Sequence, residues 1–230
     1  MNEFARDLIG VVSNPGPTIG AIMAKKRWLA VFSLILLVTA IVSYITYPVT
    51  KVEGAKLIRD SEMANKMSEE QLADLDRFTP VQRLFGALSQ MPLAALMLLF
   101  GAFFIYLFFK AAGAEGSFSN FFSAVAYASV LDMLLGGMIK GGLIAFKKTI
   151  FVHSGLTMFF PDLNFRSIPF AILAQFDFFS LWYLVALALG IAFFTKSGWK
   201  KNIVIMALYF LFKSLIFISF SYFSMKLIGM

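Results

Sequence analysis

Apolar residues along this chain collect into five long runs, at 29–47, 93–109, 121–145, 168–194 and 203–225. A helix rises about 1.5 Å per residue, so about 20 such residues cross a hydrocarbon core of about 30 Å. The pattern predicts an all-α fold: a polytopic membrane helix bundle of five transmembrane helices, forming one membrane domain over 28–230. The third run is the most telling, because its only charges are Asp132 and Lys140. A carboxylate at mid-span costs about 2.5 to 3.5 kcal/mol on insertion scales, so other helices must shelter it. At about 100° per residue, Ser129, Gly136 and Lys140 share the Asp132 side, in a stripe of small and polar residues expected to face inward. Gly137 and Gly141 form a G-x-x-x-G pair roughly opposite. With Gly136 and Gly142, they are the positions expected to let neighbouring helices approach.

The same pattern divides the rest of the chain. Within 1–27, Phe4, Leu8, Ile9 and Val12, then Ile19, Ile22 and Met23, predict two short amphipathic helices lying at the membrane interface. Glu3, Arg6 and Asp7 precede them and Asn14-Pro15-Gly16-Pro17 interrupts them, so no cleaved signal is expected. Residues 48–90 form a long polar connection that holds seven of the thirteen acids and carries one negative charge in excess. Ser68-Glu69-Glu70-Gln71 predicts a capping box, Thr79-Pro80 a second helix start, and Pro92 a kink where the second span begins. Such a charge-rich helical loop is either a solvated face or a partner-docking surface. Residues 146–167 are too broken by Lys147-Lys148 and Pro161-Asp162 to cross the membrane. Within them, 149–160 is expected to lie in the interface or dip partway in, with His153 an interfacial hydrogen bonder rather than a proton carrier.

Composition narrows the chemistry. The chain is 60% hydrophobic with 28 Phe, which suits a lipid-embedded protein. It has no Cys and one His, which removes disulfides, thiolate catalysis and zinc clusters. No nucleophile with a base is visible, so no catalytic residue, cofactor or metal is expected and the chain is read as no enzyme. The net charge of +7 is not a nucleic-acid signal, because the basic residues flank apolar spans. Lys25, Lys26 and Arg27, ahead of Trp28, are candidates for contact with anionic lipid headgroups. By the positive-inside rule they put the N-terminus in the cytoplasm and, five spans later, the C-terminus outside.

Two further spans carry charge. Asp177 lies in the fourth run with Ser180 on its side, and Lys213 lies in the fifth with Tyr209. Counting residues puts Asp132 and Lys213 near mid-membrane, with Asp177 and Lys140 roughly 6 and 12 Å toward the outer side. Two pairings are therefore expected, Asp132 with Lys213 and Asp177 with Lys140 or a hydroxyl. Such pairs either fix how helices meet or line a polar path in which an Asp changes protonation.

The order Asp177-x-Phe179-x-x-Trp182, then Gly190, then Lys196-Ser197 and a basic start to the last span, resembles the Yip domain family (Ypt-interacting proteins), its prokaryotic members in particular. The Asn14-Pro15 start, the Trp-led first span and the MSEEQL stretch at 67–72 are similar to the same group. The resemblance implies five membrane helices, a cytosolic N-terminus and a C-terminus lumenal or outside. The small-GTPase and vesicle-traffic association of eukaryotic members does not carry over to a prokaryotic one. Two function classes follow. The first is a non-enzymatic scaffold or adaptor in a prokaryotic inner membrane, with the lipid bilayer and a second copy or another membrane protein as partners. The alternative is a transporter or channel for ions or small solutes, proton-coupled, along the Asp/Lys seam.

Overall fold

The computed structural model describes the backbone of residues 2–227 and the side chains of residues 2–223. Two short helices come first, α1 (Glu3–Ser13) and α2 (Pro15–Lys25), followed by the long α3 (Leu29–Arg59). The connection after it holds α4 (Glu69–Asp74) and α5 (Pro80–Leu88), which leads into α6 (Gln90–Ala111). Next come α7 (Phe118–Ser129), a π-helical turn at Val130–Gly136 and α8 (Gly137–Lys147). The chain ends with α9 (Ile168–Leu173), α10 (Phe178–Thr195) and α11 (Trp199–Leu227). Five rods are long and apolar enough to cross a membrane: α3, α5 with α6, α7 through α8, α10, and α11. The described residues form no strand, only an isolated antiparallel bridge between Gly155 and Asp177.

The third rod is the centre of the bundle. Every residue from Asn120 to Leu131 is buried, whereas α3, α6 and α11 turn Leu37, Phe100, Leu211 and Leu215 outward, as lipid contact requires. The π-helical turn follows directly. The Gly137 amide donates five residues back to the Asp132 carbonyl, which inserts a residue into the helical register.

The N-terminal segment departs from the interfacial placement expected of it. Both helices form, but α2 lodges between α7 and α10, with Gly16, Ile19, Gly20, Ile22 and Met23 buried. Gly16 lies against Leu189, Gly20 against Phe193 and Ile19 against Gly190, so α2 runs parallel to the second half of α10. The cause is in the residues: Gly16 and Gly20 are themselves a small-xxx-small pair, and Gly190 offers a matching notch. Asn120, inside the bundle, donates its amide to the Met23 carbonyl at 2.6 Å. The α1 helix folds back over this unit with Val11 fully buried and Phe4 edge-on to Tyr127.

The first and second spans also differ in extent from the hydropathy runs. At 31 residues, α3 is about 46 Å long, well beyond a hydrocarbon core. It passes through Pro48, whose missing N–H frees the Tyr44 carbonyl one turn back. Arg83 fills that vacancy: its Nε donates to the Tyr44 carbonyl at 2.8 Å and its guanidinium lies 4.0 Å from the Tyr44 ring centre. The α5 helix is thereby strapped to α3. The expected capping box of Ser68 with Gln71 is present, and the expected helix start at Thr79 is also a capping box, closed by Gln82. The break before α6 falls at Ser89, and Pro92 sits in the first turn of α6, where it displaces no helical bond.

Candidate functional site

The two charged pairings expected from depth come out differently. Lys140 and Asp177 meet at 3.0 Å, with side chains 30% and 15% exposed. Asp132 and Lys213 form no ion pair. They line one chamber, but Asp132 Oδ2 instead accepts from the Ser180 hydroxyl of α10 at 3.1 Å. Asp132 faces α10, as does Gly136 four residues on, which lies against Phe179.

Asp177 is not inside a span. The expected fourth helix over 168–194 is broken, with α9 ending at Leu173 and α10 beginning at Phe178. Asp177 is the N-cap of α10, accepting from the Phe179 amide at 3.1 Å and the Ser180 amide at 3.2 Å. Its other oxygen takes the Ser154 hydroxyl as well as the Lys140 ammonium. Ser154 and Gly155 come from the loop expected to lie in the interface or dip inward, and that loop docks against the helix break. Phe178 N donates to Ser154 O at 3.0 Å and Leu156 N to Phe176 O at 3.2 Å. Gly155 is needed for this approach, because a Cβ there would meet the Phe176 carbonyl and lie 2.7 Å from Asp177 Cα. His153 rests edge-on against Phe170, and burial pushes its imidazole below the ordinary histidine range. These groups border a pocket of about 320 Å³.

The second place is a chamber of about 310 Å³ between α6, the third rod, α10 and α11, walled mostly by apolar side chains, including the outward-facing Met97, Phe100 and Ile216, with a cluster of polar groups among them. Asp132, Lys213, Ser129, Tyr183 and Tyr209 line it, with Gly101 opposite the Tyr209 phenol. Ser129 donates its hydroxyl proton to the Val125 carbonyl at 2.7 Å, so toward the chamber it offers only lone pairs. Of the polar seam read from the sequence, Asp132, Ser129, Tyr209 and Lys213 thus gather here. Ser180 bridges to it through Asp132, while Lys140 and Asp177 belong to the outlying pocket. Tyr183, unremarked in the sequence because it reads as part of an apolar run, completes the chamber.

The glycines divide. A Cβ on Gly136 would lie 2.8 Å from the Phe179 ring, and one on Gly141 would strike Val42 of α3, so these two are true close approaches. Gly137 and Gly142 face open space, which corrects the expectation that they pack helices. At the opposite end, Lys25 and Arg27 are engaged by Glu3 at 2.7 and 2.5 Å, tying the start of α1 to the end of α2. Arg27 first and Lys25 second hold the Glu3 carboxyl down from 4.5 to about 2. Lys26, also expected to meet lipid headgroups, is exposed beside this triad. Among the described residues no group of His, Asp and Glu is placed to hold a metal ion.

A bundle of five apolar rods, with polar groups turned inward and Phe and Leu turned outward, defines a multi-pass integral membrane protein. The Yip1 domain family model matches residues 9–221, nearly the whole chain, and the chain belongs to that family. No curated protein and no solved structure matches it.

Proposed function

We propose that this Yip1-domain protein is a non-enzymatic scaffold in a prokaryotic inner membrane, with the Trp28 end of the bundle cytoplasmic. The observation that carries the reading is the platform beyond the membrane. The overhanging turns of α3 support α5 through Arg83, and Arg59 fixes the chain near α4 by pairing with Asp76 at 3.1 Å. A solvated loop would have no reason to be built this way, whereas a docking surface needs a fixed shape. Orientation rests on Lys25, Lys26, Arg27, Lys110, Lys196, Lys200 and Lys201 at the Trp28 end, against Lys147, Lys148 and Arg166 in the 146–167 connection at the other, with anionic headgroups of the inner leaflet attracting the former. The partner is a second copy or another membrane protein. A transport reading is favoured by one observation, the chamber with Asp132 and Lys213 near mid-span.

Two measurements on the full chain separate the readings. Cross-linking in native membranes is expected to give a defined complex that Arg83→Ala disperses, and purified protein in liposomes is expected to show no proton or ion flux. Flux above that of empty liposomes, abolished by Asp132→Asn, would replace the scaffold with the transporter.

A further inference from the structure

We propose that the chamber between α6, the third rod, α10 and α11 is a binding site for a small zwitterion, a molecule carrying an ammonium and a carboxylate a few ångströms apart. The proposal goes beyond the scaffold reading and does not depend on it. Among the described residues, Lys213 has no carboxylate within 4.0 Å, and the phenol hydroxyls of Tyr183 and Tyr209 have no protein hydrogen-bond partner. Asp132 uses Oδ2 for Ser180 and leaves Oδ1 without a protein donor. Four polar groups from three different rods therefore converge on one space with hydrogen-bonding capacity left over. In a membrane interior such groups need a partner.

Charge selects the ligand class. Asp132 and Lys213 cancel, so a neutral dipolar molecule leaves the chamber neutral, with its carboxylate on the Lys213 ammonium and its ammonium on Asp132 Oδ1. A lone anion or cation would leave one charge uncompensated in low dielectric, which costs far more than a hydrogen bond. Ser129 Oγ, already committed as a donor, adds an acceptor for the ammonium, and the phenols can serve either end. Gly101 keeps the wall open beside the Tyr209 hydroxyl: a Cβ there would lie 3.6 Å from it. At about 310 Å³ the chamber lies at the small end of ligand pockets, which favours amino-acid-sized molecules.

The test uses the full chain in lipid nanodiscs, read by equilibrium binding and by melting temperature. The probes are glycine, β-alanine and γ-aminobutyrate, with propionate and propylammonium as single-charge controls. At least one zwitterion is expected to bind saturably in the millimolar range and raise the melting temperature, and the controls are not. Lys213→Met and Asp132→Asn should each weaken binding by about a hundredfold or more, because each strands the opposite charge. Tyr209→Phe, the mildest change, should weaken it by about tenfold. Failure of all three zwitterions on the wild-type protein would overturn the proposal. So would equal binding of propionate that survives Asp132→Asn, which would mark a plain anion site. Should the charge variants fail to fold, the wild-type panel and Tyr209→Phe still decide. Partner cross-linking and ion flux are separate readouts, so failure here leaves the scaffold reading standing.

Discussion

Removing Lys140 and Asp177 one at a time and then together is the perturbation whose outcome the structure fixes most closely. Lys140→Met leaves Asp177 its Ser154 hydroxyl and two α10 amides but no cation. Stranding one partner of a fully buried pair costs about 3 to 5 kcal/mol, and the 30% and 15% side-chain exposures here reduce that to about 2 kcal/mol. Asp177→Asn keeps an oxygen for the cap, since Asn caps as well as Asp, but strands the ammonium for about 1 to 2 kcal/mol. In the double variant both charges are gone, the cap survives, and the loss should fall within about 1 kcal/mol of zero. The coupling is then about 3 to 4 kcal/mol, measured by reversible unfolding of the four proteins in mixed micelles. Strict additivity, with coupling below about 0.5 kcal/mol, would refute the claim that this pair holds the 154–155 loop and α8 to the start of α10.

The remaining predictions are local. Gly136→Ala should destabilise by about 1 to 3 kcal/mol through overpacking against Phe179, whereas Gly137→Ala should be neutral or stabilise by up to about 1 kcal/mol, both by thermal unfolding. Glu3→Gln should speed hydrogen exchange of α2. Because the folded-state pKa of Glu3 is depressed from 4.5 to about 2, its contribution is full above pH 4.5 and fades as pH falls toward 2, so wild-type α2 should loosen over that window. The His153 pKa is likewise lowered, by burial, so the docked loop resists protonation. Acidification through the ordinary histidine range should loosen 150–156, read by exchange at those amides, and His153→Phe should remove that dependence.

Much of the architecture was legible because hydropathy and capping are local signals. The five apolar runs, the capping box at Ser68 and the helix start at Thr79 needed no knowledge of neighbours. The break at Asp177 was concealed by unbroken hydropathy over 168–194, although a 27-residue run is longer than a bilayer needs and Asp ahead of a helix is a capping residue. The π-helical turn at Val130–Gly136 has no local signature in the sequence. Amphipathicity of α2 was readable, but it cannot say whether an apolar face meets lipid or protein. The Gly16/Gly20 pair and the buried Asn120 held that answer. Arg83 filling the carbonyl freed by Pro48 is a contact between residues 39 apart in sequence, beyond any window.

The polar faces of the rods meet inside protein while their apolar faces meet lipid. The natural absence of Cys makes this directly measurable by single-cysteine labelling in membranes. Tyr209→Cys and Lys213→Cys should react with a small charged methanethiosulfonate, and Leu211→Cys and Leu215→Cys, on the outward face of the same helix, should react only with a lipid-soluble reagent. The reverse pattern would place the charges against acyl chains and contradict the account.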